Sequence, residues 1–211
     1  MTVLLATNNE HKKLELSEIL AGHSVLVPAN LNVEFEFEET EDTFLLNALG
    51  KTRALRALVA GRPEPVIVVA DDSGLCVDAL HGAPGVFSAR YGSPDGGVTE
   101  LPSPKRNALL LQALEGVSER RAHFVCCMVA VFPDDRFAVV QETFEGEIAH
   151  APSGDGGFGY DPIFLLPERG MTVAELPEGE KHRISHRGKA ARSLAAALSA
   201  MEEKQPPYAG R

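Results

Sequence analysis

An uninterrupted apolar run that ends in two carboxylates constrains this chain more than any other feature. Residues Val66–Ala70 read VIVVA, and Asp71, Asp72, Ser73 and Gly74 follow at once. A short run of mostly β-branched residues, apolar on both faces, predicts a strand buried inside an α/β sheet. Open α/β sheets bind ligands at the carboxyl ends of their strands. We therefore expect the strand to end before the acidic residues and to deliver them to a functional site.

The remaining apolar patterns predict helices that alternate with strands. Strands are expected at residues 3–6, 123–132, 136–143 and 144–150, and helices at 10–20, 43–60, 105–114 and 185–203. Pro133, Asp134 and Asp135 separate two of these strands and are typical of a hairpin turn. The order indicates an α/β fold, with an elongated mixed β-sheet and flanking helices that form two lobes around a central cleft. We expect one domain over residues 1–211, with a frayed tail from 205 to 211.

Composition limits the partners that the chain can bind. Thirty Asp and Glu against twenty Lys and Arg give a net charge of -10, which opposes a nucleic-acid polymer but permits a small phosphorylated ligand held by local cations. Three cysteines, two of them adjacent, provide neither a disulfide framework nor paired zinc ligands. No stretch is long and apolar enough to span a membrane, and no basic region precedes the first apolar run. We expect a cytoplasmic protein without membrane contact.

Two segments resemble nucleotide-binding motifs in sequence, but neither has the flanking residues or the secondary structure that its motif requires. Gly50–Thr52 resembles the end of a P-loop, yet position 45 is leucine where that motif needs glycine, and the segment lies inside an expected helix. The glycines of Gly154–Gly159 match a dinucleotide-binding pattern that should open a helix. Asp161-Pro162 follows too closely for a helix to begin there. We reject both motifs.

The paired aspartates have two interpretations. Neighbouring side chains in a strand point to opposite faces, so only one of Asp71 and Asp72 faces the cleft unless the chain turns there. A carboxylate at that point suits a magnesium ligand or a general base for water. The alternative is a turn in which an aspartate bonds to its own backbone.

The second predicted helix carries a polar stripe. Thr43, Asn47 and Lys51 are spaced four residues apart and lie beside an apolar stripe of the same helix. From there Lys51 can reach a phosphate oxygen or pair with Asp72, and the alternative is a lysine that only extends its amine to water. Most of the acidic run before the helix is expected to be solvated, while one or two members can complete a metal site. The run comprises Glu36, Glu38, Glu39, Glu41 and Asp42.

Three further segments can contact an anion or a base. The turn at Thr7–Lys12 opens a helix whose N-terminus suits a triphosphate, and a plain helix cap is the alternative. Gly156–Pro162 places Phe158 and Tyr160 in a non-helical loop where they can stack on a base, although such residues more often fill a core. Potential cations bracket the start of the last helix, where they oppose its dipole and favour an anionic or carbonyl-bearing partner. They are Lys181, His186 and Arg187.

Together these segments resemble the inosine/xanthosine triphosphate pyrophosphatase family, in order and over nearly the whole chain. The matching stretches are LLATNNEHKKLEL at 4–16, EETEDTFLLNALGKTRA at 38–54, ADDSGLCVDALHGAPGVFSARYG at 70–92, GDGGFGYDPIF at 154–164, AEL at 174–176 and KHRISHRGKA at 181–190. Asn8 is one departure, because many members carry a small residue such as glycine there. The hairpin at 120–143 matches only in pattern.

The resemblance implies a magnesium-dependent homodimer that hydrolyses non-standard purine nucleotides (ITP, dITP and XTP) to the monophosphate and pyrophosphate. By motif position it implies that Asp72 is the proton acceptor and a metal ligand, and that Lys51 is the catalytic lysine. It implies that the second metal carboxylate is Glu38 or its neighbour Glu39. The nucleotide contacts that it implies are Thr7, Asn8, Asn9, Glu10, His11, Lys12, Ser73, Phe158, Gly159, Tyr160, Asp161, Lys181, His186 and Arg187.

Two other functions stay open at this point. A pyrophosphatase for modified pyrimidine or methylated nucleotides would share the chemistry and prefer another base. A non-catalytic nucleotide-binding or sensing protein would use the phosphate turn and the aromatic loop but would not need Asp72 together with Lys51. The presence of both residues favours an enzyme.

Overall fold

A computed structural model of the chain describes residues 1–8, 10–20, 22–177 and 179–202. The strands are β1 (Thr2–Leu5), β2 (Ser24–Leu26), β3 (Ile67–Val77), β4 (Arg121–Val131), β5 (Phe137–Ile148), β6 (Phe164–Leu166) and β7 (Met171–Thr172). The α-helices are α1 (Glu10–Ile19), α2 (Phe44–Leu58), α3 (Ser103–Ala113), α4 (Glu180–Ile184) and α5 (His186–Glu202). The expected contact at Asn9 and the expected frayed tail at 205–211 lie outside the described residues, as do the side chains of Glu10 and His11.

The strands form one mixed sheet in the order β2-β1-β3-β4-β5-β6-β7. β1 pairs in parallel with β2 and with β3, whereas β4, β5, β6 and β7 continue the sheet in antiparallel pairs. The long central strands β3, β4 and β5 run the length of the molecule, and helices flank the sheet. The expectation of an elongated mixed sheet with flanking helices is confirmed.

The expected strand Val66–Ala70 is too short, because β3 continues through the two aspartates to Val77. Antiparallel pairing with β4 holds it extended, with Asp71 opposite Met128 and Asp72 opposite Cys127. β1, on the other side, ends at Leu5 opposite Val69. Within the described residues the aspartates therefore have a strand partner only on the β4 side. They still lie at the carboxyl end of a parallel strand pair, where such sheets leave room for a ligand.

The hairpin between β4 and β5 is confirmed. Its turn has Asp135 in the left-handed region (φ 64°), and the Phe132 N–H donates to the Arg136 carbonyl at 2.8 Å. The separate strand expected at 144–150 is wrong, because β5 runs unbroken from Phe137 to Ile148 and its whole length up to Glu147 pairs with β4. Continuous pairing with a long neighbour keeps β5 extended where its own sequence changes from apolar to acidic.

Helix boundaries agree with the capping residues in the sequence. The Thr43 hydroxyl accepts from the Leu46 N–H at 3.2 Å and begins α2, and the Ser185 hydroxyl accepts from the Gly188 N–H at 3.1 Å at the start of α5. Gly50–Thr52 lies inside α2, and residues 154–160 contain no helix, so both rejected motifs stay rejected. The sequence patterns missed α4 and the three short strands β2, β6 and β7, which are too brief to show periodicity.

The core consists of separate clusters at the two ends of the sheet. At one end α1 and α5 pack on one face, and α2 packs on the other through Ala48 and Leu55. At the other end Leu110 and Leu114, on and just after α3, join Ile163 and Phe164 around the ends of β3 and β4. The two clusters agree with the expectation of two lobes. In the part of the chain that the structure describes, no helix is long and apolar enough to cross a membrane.

Candidate active site

A cavity of about 350 Å³ lies where β1, α2, β3 and the start of α5 meet. Its walls include most of the residues that the sequence predicted, which are Thr7, Asn8, Lys12, Glu39, Lys51, Asp72, Ser73, Phe158, Gly159, Tyr160, Asp161, Lys181, His186 and Arg187. A wider concavity of about 730 Å³ lies elsewhere, and none of the predicted site residues that the structure describes lines it. The smaller cavity is the candidate active site because the chemically active groups converge there.

Asp71 is the centre of a buried ion cluster. Its Oδ2 lies 2.9 Å from Lys12 Nζ and 3.7 Å from Arg187 Nε, and it accepts from the Ser73 hydroxyl at 2.9 Å. Burial alone raises the pKa of Asp71, but attraction to Lys12, Arg187 and Lys51 outweighs it and holds that pKa well below its usual range. Asp71 is therefore a permanent anion that draws cations from α1 and α5 to the strand.

Asp72 faces a different set of partners. Its Oδ2 accepts from Asn47 Nδ2 at 3.0 Å, and its Oδ1 accepts from the Ser73 N–H at 3.0 Å. Burial raises the pKa of Asp72 to about 6, with Lys51 opposing that rise and Glu39 adding to it. A carboxylate with a pKa near neutrality suits a general base. The alternative of a turn is wrong, because the residue lies in the middle of β3.

Lys51 is a buried cation and does not extend its amine to water. Its Nζ donates to the Asp71 carbonyl at 2.9 Å, forms an ion pair with Glu39 and lies 4.0 Å from Asp72 Oδ1. Burial lowers the pKa of Lys51, but the carboxylates of Asp71, Glu39 and Asp72 outweigh this, so the net pKa is raised. The amine is thus charged and fixed between the strand and the acidic segment.

The structure distinguishes the two candidate metal carboxylates in the acidic segment. The Glu39 carboxylate lines the cavity beside Lys51, and its backbone carbonyl accepts from Arg90 at 2.9 Å. Glu38 is exposed and does not line the cavity. Within the described residues no group of three or more His, Cys, Asp or Glu side chains could hold a metal by itself. Glu39 and Asp72 provide two carboxylates, a donor set that fits magnesium bound jointly with substrate phosphates.

The loop at 158–161 is closed by Asp161. Its Oδ2 accepts from the Phe158 N–H at 2.7 Å and from Lys181 Nζ at 2.5 Å. The same lysine amine lies 4.0 Å from the centre of the Phe158 ring, which is 40% exposed. The Phe158 ring therefore lines the cavity with one face partly exposed, and the Lys181 amine is held beside it.

Tyr160 and His186 have buried side chains at the same end of the cavity. The Tyr160 hydroxyl donates to the Ser88 carbonyl at 2.8 Å, and its ring belongs to the core cluster around α3, so the core-filling alternative holds for this residue. The His186 ring stacks on Phe124 with centroids 4.7 Å apart. Burial, then Arg187 and Lys181, lower the pKa of His186 well below its usual value, so the imidazole is neutral at pH 7.

Sequence reasoning missed two contributors to this site. The sequence assigned no role to Asp71, yet this residue orders Lys12 and Arg187. Asn47 was noted only as a member of the polar stripe, yet it bonds directly to Asp72. The alternation of a strand and the spacing of a helix indicated which faces these residues occupy. Neither pattern could identify the partner across the fold.

The fold and the site define a class of protein: an α/β protein with one cavity that brings together buried cations, carboxylates and an exposed aromatic ring. The chain belongs to the Ham1 family, whose family model matches residues 3–197. This membership agrees with the motif resemblance and with the expected fold.

Curated relatives and solved structures are similar over almost their full length. The chain is 47% identical to the dITP/XTP pyrophosphatase of Treponema denticola over 194 residues, 92% of this chain and 96% of that protein. It is 47% identical to the dITP/XTP pyrophosphatase of Gloeobacter violaceus over 197 residues, 93% and 94% of the two chains. The Ham1 protein of Staphylococcus aureus superimposes with a TM-score of 0.83 at 36% identity, covering 95% of this chain and 100% of that one.

Proposed function

We infer that this chain hydrolyses the deaminated purine nucleotides dITP, ITP and XTP to the nucleoside monophosphate and pyrophosphate. The relatives named dITP/XTP pyrophosphatase support this inference at 47% identity over nearly the whole chain. The observation that carries it is the convergence of Asp72 and Lys51, from β3 and α2, on one cavity. A binding or sensing protein has no need for a buried lysine beside a carboxylate of raised pKa.

The turn before α1 and the lysine within it are the proposed triphosphate site. Thr7, Asn8 and Lys12 line the cavity, and the N-terminus of α1 presents backbone N–H groups with a favourable dipole. Asp71 holds Lys12 against β3, so this cation is ordered before the substrate arrives. The parts of this site contributed by Asn9 and by the side chains of Glu10 and His11 lie outside the described residues.

Glu39 and Asp72 are the proposed ligands of a magnesium ion. A magnesium ion held there would neutralise phosphate charge and make a nearby water more acidic. When no metal is bound, the positive charge of Lys51 lies close to both carboxylates and offsets the repulsion between them. Glu38, the other carboxylate implied by the family motif, is exposed outside the cavity, so Glu39 is the better assignment.

Hydrolysis requires a water molecule to attack the α-phosphorus. Asp72 orients that water and accepts its proton as the new oxygen–phosphorus bond forms. The bond between the α-phosphorus and the bridging oxygen breaks, and the β- and γ-phosphates leave as pyrophosphate. Lys51 and Lys12 stabilise the negative charge that builds on the phosphates.

The opposite end of the cavity is the proposed base site. Phe158 offers an exposed face for stacking, with Lys181 beside it. Hypoxanthine and xanthine carry a hydrogen-bond acceptor at C6, where adenine carries a donor amine. Arg187 and the backbone N–H groups of Gly159 and Tyr160 can donate to that acceptor, whereas the adenine amine would leave these donors unsatisfied. The other two N–H groups of the loop, those of Phe158 and Asp161, already donate within it. A site of this kind can discriminate by ~10⁴. The homodimer and the cytoplasmic location stay predictions.

Product analysis tests the proposal. The purified chain is incubated with dITP, XTP, GTP or ATP, with magnesium or with EDTA, and the products are identified as pyrophosphate or orthophosphate. We expect pyrophosphate and monophosphate from dITP and XTP, only with the metal present, and slow turnover of ATP. Equal rates on all four nucleotides would refute the base assignment, orthophosphate as product would refute the bond assignment, and binding without turnover would indicate the sensing protein.

A further inference from the structure

The side chain of Asn47 connects the two parts of the structure that carry the metal carboxylates. Asn47 lies in the first turn of α2 and is fully buried, with 0% exposure. Its Oδ1 accepts from the Glu41 N–H at 3.0 Å, while its Nδ2 donates to the Glu41 carbonyl at 3.2 Å and to Asp72 Oδ2 at 3.0 Å. One amide group therefore bonds both the acidic segment and the carboxylate in β3.

The amide can make these bonds in only one orientation. Reversing it would place its NH₂ group against the Glu41 N–H, two donors facing each other, and its oxygen against the Asp72 carboxylate, two acceptors facing each other. The bond from Asn47 and the bond from the Ser73 N–H hold both oxygens of the Asp72 carboxylate. The rotamer of Asp72 is therefore set by groups of the protein itself, before any ligand binds.

The same amide also fixes the position of Glu39. Glu39 lies two residues before Glu41, and its carbonyl is anchored from the other side by Arg90 at 2.9 Å. Residues 36–42 form neither a helix nor a strand. The position of this segment therefore depends on its contacts with side chains from elsewhere in the fold, such as those of Asn47 and Arg90. The separation between the Glu39 and Asp72 carboxylates is consequently set through Asn47 together with Lys51, whose amine pairs with Glu39 and lies 4.0 Å from Asp72 Oδ1.

We propose that Asn47 is a positioning residue that sets the affinity of the Glu39–Asp72 pair for its divalent cation. The inference rests on the proposed function, because it concerns the metal of that reaction. Magnesium demands near-ideal ligand geometry, so two carboxylates held at a fixed separation bind it more tightly than two that must be ordered on binding. Outer groups that orient metal ligands in this way typically change metal affinity by about 10- to 100-fold when they are removed.

The competing interpretation is that Asn47 only stabilises the start of α2. Its two bonds to the Glu41 backbone are of the kind that fixes a chain entering a helix, and their loss lowers the melting temperature whatever the role of the third bond. Melting temperature therefore does not separate the two interpretations, whereas metal affinity does.

The experiment compares wild type, Asn47→Ala and Thr52→Val. Thr52 is a matched control, because it is also fully buried in α2 and its hydroxyl bonds only to the Ala48 carbonyl, away from the carboxylates. Mn²⁺ binding is measured by electron paramagnetic resonance, with and without pyrophosphate, and the magnesium dependence of pyrophosphate release from dITP is measured in parallel. For Asn47→Ala we expect the dissociation constant of Mn²⁺ and the magnesium concentration for half-maximal rate to rise about 10- to 100-fold. The KM for dITP at saturating magnesium should change little.

Two results would overturn the proposal. One is an Asn47→Ala protein that is less heat-stable but binds Mn²⁺ as wild type does. The other is a Thr52→Val protein that loses Mn²⁺ affinity to the same extent. If Asn47→Ala does not fold, Asn47→Ser replaces it, since serine keeps a polar group there but is too short to bond both Glu41 and Asp72. A wild-type chain that releases no pyrophosphate refutes the proposed function, while a loss of Mn²⁺ affinity in Asn47→Ala still supports the positioning role.

Discussion

Asp71 and Asp72 are neighbours in β3, yet their carboxylates lie on opposite faces of the sheet, and each has a different nearest partner from a helix. Asp71 Oδ2 is 2.9 Å from Lys12 Nζ of α1, and Asp72 Oδ2 is 3.0 Å from Asn47 Nδ2 of α2. The two carboxylates also differ in pKa, since that of Asp71 is lowered and that of Asp72 is raised to about 6. One aspartate orders cations, and the other is available as a base.

The first prediction concerns catalysis by Asp72. Asp72→Asn removes the proposed base and one metal ligand while keeping nearly the same shape, so kcat for pyrophosphate release from dITP should fall by about 10²- to 10⁴-fold. Asp78→Asn, just after the far end of β3, is the matched control and should leave the rate unchanged. Near-normal activity of Asp72→Asn would contradict the assignment.

The second prediction concerns stability against pH in the absence of metal. The folded-state pKa of Asp72, about 6, exceeds its ordinary 3.8, so the folded protein holds this proton more tightly than the unfolded chain. Stability from this group is fully present below the ordinary value and is lost as the pH rises through 6. Asp72→Asn avoids that loss, so its stability relative to wild type should rise by on the order of 3 kcal/mol from about pH 3 to about pH 7, at about 1.4 kcal/mol per pKa unit. This gain is added to a cost that does not vary with pH, because the new NH₂ group faces the Asn47 or the Ser73 donor.

Urea unfolding in EDTA at pH 5, 6 and 7 measures this difference. The stability of Asp72→Asn relative to wild type should change little between pH 7 and pH 6 and should fall by about 1 kcal/mol between pH 6 and pH 5. Asp71 and other carboxylates of lowered pKa affect both proteins alike. Saturating magnesium should favour wild type. An advantage that does not vary with pH would show that ionisation of Asp72 is not its cause.

The third prediction concerns the base site. Phe158→Ala removes the exposed ring, so the KM for dITP should rise about 5- to 100-fold, the range expected for loss of base–aromatic stacking worth about 1–3 kcal/mol. The kcat should change less, because the phosphate end of the cavity is untouched. Phe137→Ala, which truncates an exposed phenylalanine on β5, is the control. Equal kcat and KM values for the two variants would refute the assignment of Phe158 to the base site.

The fourth prediction is that the Tyr160 hydroxyl stabilises the fold and does not bind the substrate. That hydroxyl already donates to the Ser88 carbonyl at 2.8 Å. Tyr160→Phe leaves this buried carbonyl without its donor and should reduce the free energy of unfolding by about 1–3 kcal/mol. The kcat/KM for dITP should stay close to wild type. A large drop in kcat/KM with unchanged stability would instead place the hydroxyl on the substrate.

Local chemistry made much of the fold predictable. Thr43 and Ser185 are helix caps whose hydroxyls bond only within one turn, so their positions needed no knowledge of the tertiary structure. The end of β3 could not be predicted in the same way. The apolar run stops at Ala70, but the strand continues because β4 supplies backbone hydrogen bonds to residues whose side chains are polar.

The site shows the same division. The motifs identified Asp72, Lys51 and the aromatic loop, since each is carried by a short contiguous stretch. The choice of Glu39 over Glu38 depended on which side chain reaches Lys51 across the fold. Both glutamates have the same chemistry and adjacent positions, so no local pattern distinguishes them.

The sequence by itself determined the family, the longer helices, the β4–β5 hairpin and the residue types at the site, because caps, periodicity and contiguous motifs act over a few residues. Only the tertiary structure decided which carboxylate stays charged, which holds a raised pKa and which faces solvent. Those properties arise from burial and from the nearest opposite charge. Lys12, Asn47 and Arg187 reach the aspartates from distant parts of the chain, and their positions are known only once the sheet and its helices have packed.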